Sequence, residues 1–302
     1  MSGFLECIPN ISNGRDPEVV AAVAGAFASA DAVLLGTDSD ADHNRTVITF
    51  AGTHEQVVEG AIAGVAAARD RIDLTTQDGV HPRMGATDVV PFVPLEGSTT
   101  EDAVAAAHAA AERIWTEAGV PTYLYGDAAR GPERRNLAHV RKGQFEGIRD
   151  SIATDPARMP DFGDAAVHPT AGITAVGARF FLIAYNVNLD TQDLAAAKTI
   201  AAAIREKNGG MPGVKALGFA LPEKNQVQVS MNLVDYRKTS PVQVFDEIAA
   251  RAEAAGVPVA GSELVGLIPQ AACPDGLAER VRLIDFDADA QIIERRLAQA
   301  GA

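Results

Sequence analysis

The sequence predicts an α+β protein: two tandem ferredoxin-like (split β-α-β) subdomains, each a β-sheet with helices on one face, with an active-site cleft between them. Three observations carry this. The element order β-α-β-β-α-β can be read twice along the 302 residues. A stretch without clear periodicity, 126–170, rich in Arg, Gly, Pro and Asp, lies between the two readings and suits a binding segment or a connection. The chain is 47% apolar and long enough for two modest cores. The duplication rests on element order alone, because the halves share no evident sequence identity. The expected division is 1–170 and 171–302.

In the first half, residues 4–8 form a short apolar strand ending at Pro9, and 10–15 form a polar loop. Asp16 then caps a helix with Pro17 at its first position and Val20, Val23 and Phe27 on one face. Residues 32–37 read as a strand running into the acidic loop 38–45, and 46–51 as the next strand. Thr53 with Gln56 is a capping-box signature for a helix that turns Val57, Ala61, Ile62 and Val65 inward. The apolar run from Val89 completes the first unit. Thr99 caps an alanine-rich helix whose His108 reads as a packed histidine, and 122–125 form a strand. Residues 136–145 suit a short helix with a glycine stop.

The second half repeats the order. Residues 180–189 read as a strand, and Thr191 opens a helix closed by Asn208-Gly209-Gly210. Residues 214–221 and 227–234 form a hairpin about the turn Pro222-Glu223-Lys224-Asn225. Pro241 starts a helix bearing Val244 and Ile248, and 263–268 form the last strand before helical terminal elements.

Composition narrows the partners. A net charge of −14 argues against nucleic acid and anionic membranes, though a local basic pocket for a small anion is compatible with it. Cys7 and Cys273 are far apart, without ligand spacing. Neither a signal peptide nor a membrane span is visible, so a cytoplasmic protein is expected.

The chemistry concentrates in DGVHPRMGATDVVPF, 78–92. Pro82 forces extended backbone on His81. An imidazole, a guanidinium (Arg83), a carboxylate (Asp88) and a glycine (Gly85) crowd the entrance to a strand, as in a catalytic loop. A polar turn with a hydrogen-bonded histidine would show the same residues. The spaced glycines of 172–179 precede a strand, where a dinucleotide motif should follow one. The histidines lack metal-ligand spacing, so no metal is expected, and no serine elbow is present. A histidine base with arginines to hold an acidic substrate remains.

Seven segments carry a family resemblance: ECIPNISNGR, DHNRTVITFAG, IDLTTQDGVHPRMGATDVVPFVP, VPTYLYG, TAVGARFFLIAYNVNL, QVSMNL and SELVGLIP. They run in order from Glu6 to Pro269, and the chain resembles the glutamate formiminotransferases, the folate-dependent transferase portion of formiminotransferase-cyclodeaminase. The resemblance implies transfer of the formimino group from N-formimino-L-glutamate to N5 of tetrahydrofolate, in histidine breakdown. It also implies a stand-alone transferase and a homodimer. It marks His81 as the catalytic acid/base, Asp38 as its assisting carboxylate and Arg179 as a third catalytic residue. Folate contacts are implied for 161–172 and 216–225, namely Asp161, Phe162, Gly163, His168, Gly172, Gly218 and Asn225. Asn10, Asn44, Arg45 and Arg83 are the implied substrate-binding residues. Two departures stand out: Gly36 replaces a common aspartate, and Asp42-His43 beside Asn44 varies among members. The alternatives are formyl transfer between 5-formyltetrahydrofolate and glutamate, a non-catalytic folate-binding protein and, more remotely, a metal-dependent hydrolase.

Overall fold

The computed structural model describes residues 3–300 apart from 42, 80 and 96, and of Glu223 only the backbone. Asp42 of the acidic loop therefore lies outside the described residues. The chain divides after Arg179 into two compact units. Each builds its own sheet. Among the described residues no helix is long and apolar enough to cross a membrane.

In the first unit, β1 (Phe4–Cys7) and β2 (Asn10–Ile11) form one strand path interrupted at Pro9, which has no N–H to give a ladder. Asp16 caps α1 (Pro17–Phe27), accepting from the N–H groups of Glu18 and Val19, and Pro17 starts the helix as expected. β3 (Val33–Asp40) pairs antiparallel with β4 (Arg45–Thr53). The Thr53–Gln56 capping box opens α2 (His54–Arg71), and β5 (Thr87–Pro94) completes the unit. Across the sheet the order is β3, β4, the β1/β2 path, then β5. That is the antiparallel arrangement of a split β-α-β pair, so the ferredoxin-like reading holds.

The sheet then grows. α3 (Thr100–Ala118) carries a Thr99–Asp102 capping box and leads to β6 (Thr122–Gly126). α4 (Leu137–Val140) and α5 (Gln144–Ser151) fill part of the irregular region, with Gly143 left-handed between them. β7 (Thr174–Ala178) then inserts between β5 and β6, parallel to both. This strand is missing from the sequence reading. All five of its residues, TAVGA, are buried, so no alternation marks it.

Side-chain alternation separates two cores. Val90, Phe92, Leu124 and Val176 pack into the large core that contains buried residues of α1, α2 and α3. Their neighbours Val89, Tyr123, Tyr125 and Ala175 face the other way, against Val140, Ile148 and Ile152. The region 126–170 thus supplies a second layer over part of the face that a bare split β-α-β unit would leave open.

In the second unit, β8 (Ile183–Leu189), α6 (Leu194–Ile204), β9 (Val214–Leu221), β10 (Gln226–Leu233), α7 (Pro241–Ala254) and β11 (Val259–Val265) repeat the motif. The sheet is antiparallel in the order β11-β8-β10-β9. Ile183, Tyr185, Val187, Val227 and Val229 are fully or nearly fully buried, as are Ile204 and Ile248 of the two helices. On the opposite face of β9, Leu217 and Phe219 stand exposed. α8 (Leu277–Arg280), α9 (Ala288–Gln291) and α10 (Ile293–Gln299) end the chain as short helices.

Candidate active site

One irregularity in β5 creates the site. Asn10 pairs with Val89, but Ile11 pairs with Thr87, so Asp88 is the extra residue of a β-bulge. Regular alternation would send Asp88 to the side of Val90 and Phe92, into the large core. The bulge re-aims it to the opposite face. There it is fully buried, and Oδ1 accepts from the Met84 N–H at 2.9 Å. Oδ2 accepts from Arg45 Nη1 at 2.9 Å and from Arg141 Nη2 at 2.7 Å. Two guanidinium groups therefore share one buried carboxylate.

Arg45 opens β4 and also donates from Nε to Asn10 Oδ1 at 3.0 Å, while the Asn10 amide donates to the Ile8 carbonyl. Its Nη1 lies 3.1 Å from His81 Nδ1. The same Nδ1 is 2.7 Å from the Pro82 carbonyl. One ring nitrogen cannot satisfy both neighbours, since the carbonyl needs a proton on Nδ1 and the guanidinium needs a lone pair. Arg45 has Asp88 to receive its proton, whereas the Pro82 oxygen can only accept. The consistent tautomer carries the proton on Nδ1 and leaves the lone pair on Nε2.

The His81 pKa is lowered, first by burial, then by the positive charges of Arg45 and Arg141. The Pro82 carbonyl and Asp88 oppose this only in part. His81 is thus a neutral imidazole near neutrality, with Nε2 as a base. His43 approaches edge-on, the ring centroids 5.9 Å apart, and its Nδ1 pairs with Asp40 Oδ2 at 3.2 Å.

The structure brings together His81, Arg45 and Asn10 of the sequence-derived set. Asn44, at φ 49°, accepts from the Gly14 N–H and donates to the Asp78 carbonyl. It thereby ties together the three loops that surround His81. Asp38 lies opposite Val47 in the β3–β4 ladder, on the same sheet face as Asn10 and Arg45. Its carboxylate is exposed and makes no hydrogen bond or ion pair among the described residues. The carboxylate that organises Arg45 is Asp88. Arg179 follows β7, and its N–H donates to the Phe92 carbonyl at 3.1 Å. Its charge acts on Tyr125, whose hydroxyl is pushed up to about 12, chiefly by burial.

Arg83 is committed elsewhere. Its Nε donates to Gln77, and its two terminal nitrogens donate to Glu146, Leu74 and Gln77. All three guanidinium nitrogens are used to hold the His81 loop to α5.

The folate set serves folding contacts within its units. Asp161 accepts from the Leu124 N–H at 2.8 Å and pairs with Arg134. Phe162 lies beneath the Arg130 guanidinium, and Gly163 has a φ of 131° with Pro121 against it. His168 and Gly172 exchange backbone hydrogen bonds, and His168 Nδ1 accepts from the Ala171 N–H. A Cβ on Gly172, at φ 70°, would meet the Met84 carbonyl at 2.2 Å. Gly218 of β9 packs on α6, where a Cβ would reach Lys198 N at 2.6 Å, and Asn225 is the left-handed residue of the hairpin turn.

Sequence reasoning missed Arg141. It follows a four-residue helix, and its acceptor, Asp88, is 53 positions away. Nothing local marks it.

Residues 4–179 match the family description "Formiminotransferase domain, N-terminal subdomain", and residues 184–279 match "Formiminotransferase domain". The chain belongs to the formiminotransferase family. It is 45% identical over 298 residues to the glutamate formimidoyltransferase of Streptococcus pyogenes serotype M1, covering 98% of this chain and 99% of that one. The glutamate formimidoyltransferase of Thermoplasma acidophilum is 43% identical over 300 residues, with 98% of each chain covered. The formimidoyltransferase-cyclodeaminase of Gallus gallus is 44% identical over 283 residues, which are 91% of this chain and 52% of the bifunctional protein.

Proposed function

We propose that the chain is a glutamate formimidoyltransferase that moves the formimino group of N-formimino-L-glutamate to N5 of tetrahydrofolate. The carrying observation is 45% identity over 98% of the chain to a protein of that name. The site's chemistry agrees with it. In the transfer, N5 attacks the amidine carbon and forms a tetrahedral adduct. The N5 proton passes to His81 Nε2. The same imidazolium then gives a proton to the glutamate nitrogen as the carbon–nitrogen bond breaks, so protons balance over the cycle. A neutral, Nε2-basic His81 suits the first step, and its lowered pKa makes its conjugate acid a ready donor in the second.

On this reading Asp38 is the carboxylate that assists His81, and Arg45 with Arg179 holds substrate carboxylates. Tetrahydrofolate is the co-substrate, with 161–172 and the β9 hairpin as its binding segments. The exposed Leu217 and Phe219 beside Gly218 offer an apolar surface for its rings. Residues 1–170 and 171–302 act as the two transferase subdomains of a cytoplasmic homodimer; sedimentation of purified protein at a single-chain mass counts against the dimer.

The test is formimino transfer by purified protein, with formiminoglutamate and tetrahydrofolate as substrates and His81→Ala beside it. Turnover that is lost in the variant supports the reading. Absence of turnover in both, with formyl transfer from 5-formyltetrahydrofolate present, replaces it.

A further inference from the structure

We propose that Arg141 is the second arm of a carboxylate clamp with Arg45, holding a carboxylate of the acidic donor beside His81. The proposal deepens the transfer reading and rests on it for the donor's identity. Three observations carry it.

The first is the state of the guanidinium donors. Arg83 makes five hydrogen bonds to protein acceptors, using all three of its nitrogens. Arg141 gives one, from Nη2 to Asp88, and its Nε is buried without an acceptor. Nη1 of Arg141 and Nη2 of Arg45 also meet no acceptor among the described residues. Two planar forks thus keep donors open on adjoining groups.

The second is charge. Arg45, Arg141 and Asp88 are 12%, 15% and 0% exposed at their side chains. Asp88 is the one carboxylate that hydrogen-bonds to either arginine among the described residues. Two cations and one anion leave a net positive charge withdrawn from water, which is costly unless another anion joins. The pull on Arg45 is visible: its pKa is lowered by burial and by Arg141, against the support of Asp88.

The third is place and chemistry. Arg45 Nη1 is 3.1 Å from the His81 ring, so an anion on this pair lies next to the base. A formimino-substituted glutamate carries two carboxylates. A chain with a net charge of −14 needs a local cationic cradle to admit such a dianion.

Calorimetric titration with L-glutamate, the released product, tests this on the full chain, comparing wild type with Arg141→Met and Arg141→Lys. Loss of charge-assisted bonds weakens glutamate binding by roughly tenfold or more in Arg141→Met. Arg141→Lys recovers part of it, and binding of 5-formyltetrahydrofolate is unchanged. Without ligand, Arg141→Met melts no lower than wild type, because Asp88 keeps Arg45 and the surplus charge is gone. A lower melting temperature with both ligands weakened alike assigns Arg141 a structural role and overturns the clamp. Unchanged glutamate binding in a folded Arg141→Met protein also overturns it. If wild type binds glutamate through Arg141 but transfers no formimino group, the reaction reading fails and the clamp stands. If transfer proceeds with an unaltered KM for formiminoglutamate in Arg141→Met, the clamp fails and the reaction stands.

Discussion

At the scale of single residues, the site depends on what surrounds one imidazole. The Pro82 carbonyl selects the Nδ1 proton, and Arg45 and Arg141 oppose a second one, so His81 is set as a base at Nε2. Replacing it with alanine should lower kcat by roughly 10²–10⁴-fold. Folate binding, measured with 5-formyltetrahydrofolate, should persist, because no described protein contact other than Arg45 and the Pro82 carbonyl hydrogen-bonds to the ring. The acid limb of kcat/KM should fall at a pH below the ordinary imidazole value of about 6.5. The sign for stability follows from the same shift. A histidine whose folded pKa is depressed takes its proton first in the unfolded chain, so stability is lost as pH falls through the unfolded value. His168 is depressed as well, by burial and by Arg69, and adds to the loss. Asp88 carries a different weight. Asp88→Ala strands two buried guanidinium groups and should cost about 3–5 kcal/mol in urea unfolding. A loss under 1 kcal/mol would show that water reaches them freely.

At the scale of elements, a bulge and a clasp matter most. Without the extra residue at Asp88, the two arginines would face a strand that turned its carboxylate into the large core. The clasp is Arg83, which joins 74–77 to Glu146 of α5 and so fixes the loop that bears His81. Arg83→Met should therefore lower the melting temperature and kcat together. A raised KM for formiminoglutamate with unchanged melting would instead make Arg83 a substrate ligand. These elements also show where the sequence was readable. Asp16-Pro17, Thr53 with Gln56 and the PEKN turn are local chemistry, and each appears in place. The motif around His81 was likewise visible. The bulge was not, because it consists of a register offset between strands some eighty positions apart. β7 was not, because its small, uniformly buried residues lack any period.

At the scale of the whole molecule, two repeats of one topology have been put to unequal use. The second unit keeps the bare four-stranded form with an exposed Leu217–Phe219 face. The first has added α3, β6, β7 and a second layer, and its added segment contributes Arg141 to the site. Element order revealed the repeat, since it depends on periodicity and caps. It could not reveal the addition, whose long-range pairings have no local signature. Both cores of the first unit are drawn wholly from residues before 179. So are the groups that act on His81, namely Arg45, Arg141, Asp88 and the Pro82 carbonyl. A fragment ending at residue 179 should then unfold cooperatively, and its His81 should keep a pKa below the ordinary imidazole value when titrated by NMR. It should carry out no transfer, because the whole segment matched by the second family description, 184–279, is gone. A fragment that folds but titrates His81 at the ordinary value would mean that the second unit maintains the Arg45–Asp88–Arg141 arrangement. The site would then belong to the assembled chain, with the first unit holding its residues but unable to set their charge.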